Sequence, residues 1–506
     1  MNDSDKPRLL VFVVAYNAEK TIQSVLSRIP AGLSEKFHVE ILAIDDASRD
    51  RTFEIGHGLQ ITGVHPFPLH VLVNPENQGY GGNQKLGYHF ALKNKFDFVA
   101  LIHGDGQYAP EFLPTLLEPL RTGDADAVFG SRMQTRGAAL KGGMPLYKFV
   151  GNKILTWIEN KFLRTELSEF HSGYRIYSTA ALARIPFDRN TNDFHFDTEI
   201  IIQFVIAGLK IRELPVPTYY GDEISHVNGM KYAWDVVKAV LKARAQEWGI
   251  FYDRKFDCAD SAATSAHYAL KRGYDSTHRA TLNLVEAGSR VLILGSAGVY
   301  VGDSLHQERG CAVTAVDGSP LAKDAVLDNF IQHDLDQGPP EVDYDRFDAV
   351  LMLDLIEHLA APEEFADALR EKMSRNRNCI LVASTANVGF FVTRAMLLLG
   401  QFNYGRRGIL DMTHRRLLTF ASFRRLLEQS GFDVLEMRGM PAPYALVFGD
   451  GMLGRSLTAI NRMLMRLLAG VFSYQIMIVA RPRPTIDSLL ASAVGESIKR
   501  SEVASR

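Results

Sequence analysis

Cysteine is scarce in this sequence of 506 residues, which contains Cys258, Cys311 and Cys379 and no CxxC pair. Three widely separated cysteines argue against a disulfide framework or a zinc knuckle and fit a reducing compartment. An excess of charge of one sign is also lacking, because the formal net charge is −2. Without a strongly basic balance, we expect no nucleic acid partner.

Long apolar runs are missing as well. The N-terminus places acids and a proline before a short apolar strand, whereas an export signal needs a basic start and a longer apolar run. The most lipid-like stretch, 388–400, contains Arg394 and falls short of the ~20 apolar residues of a spanning helix. We therefore expect a cytoplasmic protein without a signal peptide or a transmembrane helix. Whether 388–400 packs on its own domain or touches the cytoplasmic face of a membrane stays open.

Two series of apolar runs, within 9–129 and 290–383, read as parallel strands that alternate with helical patterns. A chain of this length can form two or more domains, each with its own core. The alternation predicts two tandem α/β domains. We place them at 1–254 and 255–485, and we expect 486–506 to be a disordered tail.

Polar residues and glycines follow the strands of the first series, where the ligands of open α/β sheets bind. Such residues can hold a nucleotide-diphosphate sugar through hydrogen bonds to its base and ribose and through close backbone approach. For Asp45 and Asp46, helix capping is the alternative, and glycines after a strand often only turn the chain. The candidates are Ala15, Tyr16, Asn17, Glu19, Asp45, Asp46, Asn77, Gly79 and Gly82.

The fourth strand of this series runs into His103, Asp105 and Gln107, each separated from the next by one glycine. Alternate residues of an extended chain point the same way, so the three side chains can converge. Imidazole, carboxylate and amide groups suit Mn²⁺ or Mg²⁺, and histidine favours Mn²⁺. In the alternative interpretation, His103 is a hydrogen-bonded core histidine and Asp105 caps the next helix.

The first half resembles inverting family 2 glycosyltransferases of the dolichyl-phosphate mannosyltransferase type over roughly residues 8–230. It shares with them, in order, VVAYNAEKTI, AIDDASRDRT, NPENQGYGG, HGDGQY, FGSR, FHSGYRIYS and FHFDTEI. The resemblance implies a GT-A-type fold in which Asn17 and Asp45 hold the nucleotide and Asp105 with Gln107 binds the metal. His103 departs from the family, which usually has an aspartate there.

The same resemblance implies that Arg132 and Arg175 contact the acceptor phosphate or the product. The implied reaction is one in-line displacement at the anomeric carbon, with UDP and GDP sugars both open as donors. A polyprenyl phosphate acceptor is already anionic, whereas a glycan hydroxyl needs a base, for which Asp197 and Glu199 are candidates. We also expect a lid at 217–237 that carries Ser225 and His226.

In the second half, a strand, a glycine turn and a helix start follow one another, and Asp317 ends the next strand. This pattern suits an adenosyl or a nicotinamide cofactor about equally. Downstream, QHDLD, AVLMLDLIEHL and THRRLLTFASFRRLLEQSGFDVL resemble class I S-adenosylmethionine-dependent methyltransferases of the type 11 group, over roughly 265–483. The resemblance implies a Rossmann-like fold with methyl-donor contacts at Gly295, Ser296, Gly298, Asp317, Asp334 and Asp354.

Three features of the second half can be interpreted in more than one way. The glycine loop has Ser296-Ala-Gly298 where the family often has Gly-Cys-Gly. His358 and His414 are either bases for methylation of a hydroxyl or structural residues. In 452–472, leucines and Ile460 share one helical face and the arginines fall outside it, which predicts either a packed helix or a basic amphipathic patch on a membrane.

Together these patterns predict a bifunctional enzyme of surface-glycan or glycolipid assembly. Its first half would transfer a sugar to a polyprenyl phosphate or glycan, and its second half would methylate a sugar or related acceptor with S-adenosylmethionine. In a second hypothesis, one half is catalytically silent and serves as a binding or docking module. A third hypothesis, a nicotinamide enzyme in the second half, remains open at this stage.

Overall fold

A computed structural model describes most of the chain as two compact units. The first contains the described residues up to 247 together with 253–258, and the second contains Tyr252 and the described residues from 276 onward. Residues 253–258, where Phe256 and Cys258 are buried, belong to the first unit, whereas Tyr252 belongs to the second, so the chain alternates between the units around 254. The described residues are 6–63, 65–217, 228–247, 252–258, 276–295, 299–321, 326–444, 449, 451–486 and 489.

Some of the sequence predictions fall outside these residues. The lid residues Ser225 and His226 are among them, as are Ser296 and Gly298 of the methyl-donor loop. Of the expected tail, only Ile486 and Leu489 are described.

The first unit is built on a seven-stranded sheet, and β1–β5 confirm the first predicted series of strands. The sheet order is β3-β2-β1-β4-β6-β5-β7, with only β6 antiparallel to its neighbours. The strands are β1 (Arg8–Ala15), β2 (His38–Asp45), β3 (Leu69–Val73), β4 (Phe98–His103), β5 (Ala127–Ser131), β6 (Arg175–Ser178) and β7 (Ile211–Pro215).

Helices cover both faces of this sheet, which explains why its central strands are apolar throughout. In β1, Leu9 and Val11 pack on one face, whereas Leu10 and Phe12 pack on the other. The helices are α1 (Ile22–Ser27), α2 (Thr52–Thr62), α3 (Tyr80–Lys93), α4 (Leu113–Arg121), α5 (Ala138–Lys141), α6 (Leu146–Leu163), α7 (Thr179–Leu182), α8 (Phe196–Ile206) and α9 (Gly229–Glu247).

The second unit has its own seven-stranded sheet, in the order β10-β9-β8-β11-β12-β14-β13, with β14 antiparallel to both neighbours. The second predicted series of strands is confirmed by β8, β9, β11 and β12. The strands are β8 (Arg290–Leu294), β9 (Ala312–Asp317), β10 (Asn329–Gln332), β11 (Ala349–Leu353), β12 (Ile380–Ala386), β13 (Phe432–Met440) and β14 (Gln475–Pro482).

Seven helices are described in the second unit, and short 3₁₀ helices occur in both units. The helices of the second unit are α10 (Thr277–Leu284), α11 (Val299–Arg309), α12 (Pro362–Met373), α13 (Phe391–Leu398), α14 (Phe420–Gln429), α15 (Met452–Leu467) and α16 (Ala469–Phe472). The 3₁₀ helices are Ala31–Glu35, Pro110–Phe112, Phe187–Arg189, Arg254–Phe256, Leu335–Gln337 and Tyr344–Arg346.

Both sheets reverse their strand order at one point, between β1 and β4 and between β8 and β11. In open α/β sheets, a crevice forms at the carboxyl ends of the strands beside such a reversal. The predicted α/β class with two tandem domains is therefore confirmed, and each unit carries one position where a ligand site is expected.

Several features bear on membranes and redox state. Among the described helices, none is both long enough and apolar enough to cross a bilayer. In α15, Gly454 and Asn461 are buried and Leu457 and Leu464 are half-buried, whereas Ile460 and Leu467 of the predicted apolar face are exposed. All three cysteines are free and buried, in line with the prediction that they form no disulfide.

Candidate functional site

A cavity of about 1540 Å³ lies at the carboxyl ends of β1, β2 and β4 in the first unit. Its walls come from the loops that follow these strands, from α6 and from the start of α9. Ten of the predicted site residues line it: Ala15, Tyr16, Asp46, Asn77, Gly79, His103, Asp105, Gln107, Arg132 and Asp197.

The three predicted metal ligands are neighbours on this wall. His103 Nδ1 lies 3.9 Å from Asp105 Oδ2, and Asp105 Oδ1 accepts a hydrogen bond of 3.0 Å from the backbone N–H of Gln107. Burial raises the pKa of Asp105, but the neighbouring His103 and the Gln107 N–H outweigh it and hold that pKa below its ordinary value. Asp105 is therefore a carboxylate at neutral pH.

Tyr80 determines which nitrogen of His103 carries the proton. The Tyr80 hydroxyl donates to Asp197 Oδ2 at 2.9 Å, so its oxygen accepts from His103 Nε2 at 3.2 Å. A protonated His103 would donate from Nδ1 to Asp105, which is how it lowers the pKa of that carboxyl group; the neutral ring keeps its proton on Nε2 and turns the lone pair of Nδ1 toward Asp105. Two acceptor atoms that face each other at this distance fit a cation between them, and the second hydrogen bond on the imidazole is typical of metal-ligating histidines.

Gly173 makes room for the His103 ring, because a Cβ atom at this position would overlap the imidazole. The ring also packs edge to face against Tyr80 and Tyr108. His103 is thus hydrogen-bonded and largely enclosed, as the core-histidine alternative predicted, and yet its Nδ1 faces the metal-ligand candidate Asp105. The two interpretations of His103 are compatible.

Asp46 organises the glycine loop rather than standing free at the cavity wall. Its carboxylate accepts hydrogen bonds from Asn74 Nδ2 at 2.7 Å and from the backbone N–H groups of Gln78 and Gly79 at 2.8 and 3.0 Å. Asn77 adds a bond from its Nδ2 to the Asp46 carbonyl at 2.9 Å. Asp46 therefore shapes the loop that a donor would contact.

The glycines of this loop allow close packing within the protein, whereas we expected them to let the backbone approach a ligand. A Cβ atom at Gly79 would lie 2.6 Å from the Asn192 carbonyl oxygen, and the backbone there has φ +79°. A Cβ atom at Gly82 would lie 2.9 Å from Gln78 Cβ, and Gly82 does not line the cavity. The small residues let the loop and α3 approach the 190–196 segment.

Asn17, Glu19 and Asp45 join the loops that follow β1 and β2. Asn17 Oδ1 accepts from the Arg49 N–H at 3.0 Å, and Glu19 Oε2 accepts from the Arg51 N–H at 3.2 Å. Asp45 accepts from the side chain and backbone N–H of Ser48, and burial raises its pKa. These three predicted nucleotide contacts are absent from the cavity lining.

Arg132 lines the cavity as half of a buried ion pair. Its guanidinium and its backbone N–H both bind the carboxylate of Glu169, the latter at 2.8 Å, and Asn152 Nδ2 donates to Glu169 at 2.8 Å. Burial would raise the pKa of Glu169, but the charge and hydrogen bonds of Arg132 keep it lowered. Arg132 is thereby held in one orientation at the wall.

Arg175 and Glu199 do not reach the cavity. The Arg175 guanidinium donates to the carbonyls of Phe170, Ser172 and Asp197 at 2.6, 2.8 and 3.0 Å and is 1% exposed. Glu199 is buried with Lys255 Nζ at 2.5 Å. Arg175 therefore supports Asp197 from below the wall, and this placement speaks against the predicted acceptor contact for Arg175 and against Glu199 as a base.

Sequence reasoning missed several residues that shape the cavity. Tyr80 and Gly173 lie inside quoted motifs, but only the fold brings them to His103. The face of α6 was not singled out, although exposed apolar residues spaced along one side of a helix were a visible signal. On this helix, Tyr147 and Ile154 line the cavity, and Leu146, Val150 and Trp157 are exposed beside them.

In the second unit, the described methyl-donor candidates lie at the carboxyl edge of the sheet. Gly295 follows β8 with φ +93°, a backbone conformation that favours glycine. Asp317 ends β9, and its Oδ1 accepts from the Ser319 N–H at 2.7 Å. Asp334 is exposed and caps Leu335–Gln337, and Asp354 follows β11 with its carboxylate bound to Ser384 and Gln475 at 2.8 and 2.9 Å.

Comparison with known proteins agrees with both resemblances. Residues 10–185 match the family model for glycosyl transferase family 2, and residues 266–437 match a model for a methyltransferase domain. The second match favours a methyltransferase over the nicotinamide enzyme that the glycine turn left open.

Three relatives illustrate the similarity. Over 242 residues the chain is 30% identical to a low-salt glycan biosynthesis hexosyltransferase, Agl6, of Haloferax volcanii. The aligned region covers 47% of this chain and 54% of that protein. It is 30% identical over 220 residues to the uncharacterized protein MJ1222 of Methanocaldococcus jannaschii, covering 44% of this chain and 85% of the relative. It is 28% identical over 214 residues to an undecaprenyl-phosphate mannosyltransferase of Micrococcus luteus, covering 41% and 82%.

Proposed function

We propose, since the chain belongs to glycosyl transferase family 2 and carries a methyltransferase domain, that it is a bifunctional enzyme of surface-glycan or glycolipid assembly. The first unit transfers a sugar from a nucleotide-diphosphate sugar with inversion. The second transfers a methyl group from S-adenosylmethionine. The observation that carries the first activity is the pair of acceptor atoms on His103 and Asp105 that face each other on the cavity wall.

His103, Asp105 and Gln107 would hold a divalent cation, Mn²⁺ in preference to Mg²⁺ because of the imidazole. Such a cation supplies positive charge that stabilises the departing nucleoside diphosphate. The protein's own contribution is orientation: Tyr80 sets the His103 tautomer, and Gln107 fixes the Asp105 carboxylate through its N–H. A cavity of this size exceeds the ~300–1,000 Å³ of ordinary ligand pockets, so a donor and the head of an acceptor can bind together.

The donor would lie along the loops after β1, β2 and β3, where Tyr16 offers an exposed ring and Asn77 an exposed amide. In the transfer, an acceptor oxygen forms a bond to the anomeric carbon from the face opposite the diphosphate. The bond from that carbon to the diphosphate oxygen breaks, and the diphosphate leaves with the electron pair. The donor nucleotide in this proposal is UDP or GDP.

The state of Asp197 favours a phosphate as the acceptor. Its carboxylate accepts hydrogen bonds from Tyr80 and from Gln84 Nε2, and it lies 3.6 Å from the Arg175 guanidinium. Both carboxylate oxygens of Asp197 thus already accept a hydrogen bond from the protein, and Glu199 lies outside the cavity. A phosphate oxygen needs no base, and the cationic Arg132 on the same wall would help to hold it.

The exposed side of α6 suits the hydrocarbon chain of such an acceptor. Ile154 lines the cavity, and Val150 and Trp157 continue one apolar strip along the helix, each about half exposed or more. Trp234 on α9, which packs beside α6, is exposed as well. We therefore propose a polyprenyl phosphate acceptor, presented by a membrane with which the first unit makes peripheral contact.

In the second unit, S-adenosylmethionine would bind at the edge formed by β8, β9 and β11. Gly295 allows the backbone to approach the donor closely, and the Asp317 carboxylate would accept from the ribose hydroxyls. The bound donor supplies an electrophilic methyl group, and the role of the protein is to align the acceptor with it.

The direct test combines an assay and a binding measurement on the full chain. Asp105→Asn is expected to abolish sugar transfer from UDP or GDP sugars to polyprenyl phosphate in the presence of Mn²⁺, while S-adenosylmethionine still binds in calorimetry. Asp124→Asn, on an exposed turn outside the cavity lining, is the matched control. Binding of only one of the two donors by wild type would support the alternative in which one half is a docking module.

A further inference from the structure

Glu357, His358 and His414 form a cluster in the second unit that the proposed methyl transfer does not explain. One ligand atom from each lies within 4.8 Å of the others. Glu357 and His358 follow β11, and His414 comes from the loop before α14. The cluster lies beyond the carboxyl end of β11, next to the strand order reversal where ligands of such sheets bind.

The backbone contacts of both histidines leave Nε2 as the ring nitrogen available to a metal ion. His414 Nδ1 lies 2.9 Å from the Ile409 carbonyl oxygen, and His358 Nδ1 lies 3.3 Å from the Thr413 carbonyl oxygen. Because a carbonyl only accepts, each Nδ1 must carry the proton, and each Nε2 keeps its lone pair. A backbone carbonyl that orients the ring through the far nitrogen is a common support for a metal-bound histidine.

The Glu357 side chain gives a second observation, independent of the histidines, that points to a bound ligand. The residue is 1% exposed, and its Oε1 accepts from the Ala386 N–H at 3.2 Å. Its Oε2 is buried and makes no hydrogen bond of acceptable geometry among the described residues, and the neighbouring Thr385 hydroxyl is unsatisfied as well. A buried carboxyl oxygen without a partner costs free energy, and a bound cation or a ligand donor would satisfy it.

We propose that Glu357, His358 and His414 bind a divalent transition-metal ion of the Zn²⁺ class and that this ion holds the oxygen of a hydroxyl acceptor for methylation. Two imidazoles and one carboxylate are the donor set of open zinc sites, which keep a position for water or substrate. The inference rests on the proposed methyl transfer for its purpose, but the metal site itself can be tested without the methyl donor.

The chemistry follows from charge. A hydroxyl oxygen near a divalent cation loses its proton more readily, and the proton passes to solvent water. The oxygen then forms a bond to the methyl carbon, and the carbon–sulfur bond breaks with its electron pair remaining on sulfur. The products are a methyl ether, S-adenosylhomocysteine and hydronium. The cluster therefore predicts O-methylation of a hydroxyl, such as one on a sugar.

The experiment uses the full chain with Asp105→Asn, which removes a ligand of the proposed site in the first unit, together with His195→Ala, because Asp193, His195 and Asp235 form another possible ligand cluster in that unit. Co²⁺ is titrated into the metal-free protein without S-adenosylmethionine and followed by visible absorption. We expect one equivalent to bind with a spectrum typical of nitrogen and oxygen ligands. Added singly, Glu357→Gln, His358→Ala and His414→Ala should each weaken Co²⁺ at least 10-fold, whereas His306→Ala, an exposed histidine of the same unit paired with Asp328, should not.

Two outcomes would overturn the metal site: no Co²⁺ bound by the Asp105→Asn, His195→Ala protein, or Co²⁺ affinity unchanged in all three cluster variants. Calorimetry with S-adenosylmethionine shows which variants are folded. Should the variants lose the fold, electron paramagnetic resonance of Mn²⁺ bound to the Asp105→Asn, His195→Ala protein decides, because two imidazole nitrogen couplings are expected and their absence contradicts the site. If wild type fails to bind S-adenosylmethionine while Co²⁺ binds as expected, the proposed methyl transfer is wrong and the metal site stands.

Discussion

Gly173 lies so close to the imidazole ring of His103 that a Cβ atom at this position would overlap the ring. Gly173→Ala is therefore expected to tilt His103 away from Asp105 and to lower sugar transfer by about 10- to 100-fold, since a misplacement of ~1 Å can cost that much. Mn²⁺ binding to the purified protein measures the cause directly. Gly151→Ala, in α6 on the cavity wall but with open space around its Cβ position, should leave Mn²⁺ affinity unchanged. Equal effects of the two substitutions would contradict the steric argument.

The second prediction concerns Tyr80, whose hydroxyl joins His103 to Asp197. Tyr80→Phe keeps the ring packed against Phe194 and removes both hydrogen bonds. Without the Tyr80 hydroxyl, no hydrogen bond fixes the proton of His103 on Nε2. We therefore expect Mn²⁺ affinity to fall about 10- to 100-fold, the usual effect of removing a hydrogen bond that orients a metal ligand. Tyr88→Phe, which removes a buried bond to Gln84 in the same helix, is the control and should leave Mn²⁺ binding intact. The affinities are to be measured by calorimetry at one pH.

A third prediction follows from the Arg132–Glu169 pair. Glu169→Gln removes one charge of a buried ion pair and should destabilise the first unit by about 3 kcal/mol. The measurement is the melting temperature of the first unit, whose unfolding transition is identified as the one that a bound nucleotide shifts to higher temperature. Met133 is adjacent and buried without a charge, so Met133→Leu should change that temperature far less.

This pair also gives a dependence on pH. The folded pKa of Glu169 lies below its ordinary value of 4.5, so the stabilisation that it provides is fully present above pH 4.5. As the pH falls through the lower folded value, Glu169 becomes protonated and that stabilisation is lost. The difference in melting temperature between wild type and Glu169→Gln should therefore be constant near neutral pH and shrink below pH 4.5. A difference that widens in acid would contradict the assignment.

The apolar strip of α6 gives a fourth prediction. Ile154→Asp and Trp157→Asp should raise the KM for a long-chain polyprenyl phosphate about 10-fold or more, because each places a charge where the hydrocarbon chain would lie. The KM for a short, water-soluble analogue should hardly change. Ile61→Asp alters an isoleucine of α2 that is 73% exposed and outside the cavity lining, and it serves as the control.

Asp317 gives a test confined to the second unit. Asp317→Ala removes the carboxylate proposed to accept from the ribose of the methyl donor, so S-adenosylmethionine affinity should fall by 10-fold or more. Sugar transfer should be unaffected. Asp345→Ala, on an exposed 3₁₀ turn of the same unit, should leave the donor affinity as in wild type.

The sequence predicted the fold well because parallel strands that are buried on both faces consist of consecutive apolar residues, as in 98–102 and 349–353. Strands β6 and β7 were not predicted, since Arg175 opens a strand of only four residues and β7 alternates exposed with half-buried positions. The place of 253–258 in the first unit was not predicted, because Lys255 pairs with Glu199, a contact between residues 56 positions apart that no local pattern reveals.

The candidate site was predicted in part for a similar reason. Residues directly after strands, such as Asp105, could be placed because the strand fixes where they emerge. The orientation of Arg175 could not, because its partners are backbone carbonyls that the motif does not show. The same holds for Gly79, whose neighbour Asn192 comes from a distant loop, so that packing and ligand approach could not be distinguished by sequence.

The three buried thiols have a practical consequence for studying how the two halves cooperate. Cys258, Cys311 and Cys379 are all shielded, and burial raises the pKa of the Cys379 thiol to about 12, which makes its reactive thiolate rare at neutral pH. A cysteine introduced on the surface of each half would therefore react first with a maleimide dye. Energy transfer between two such dyes would then report changes in the distance between the halves as each donor is added.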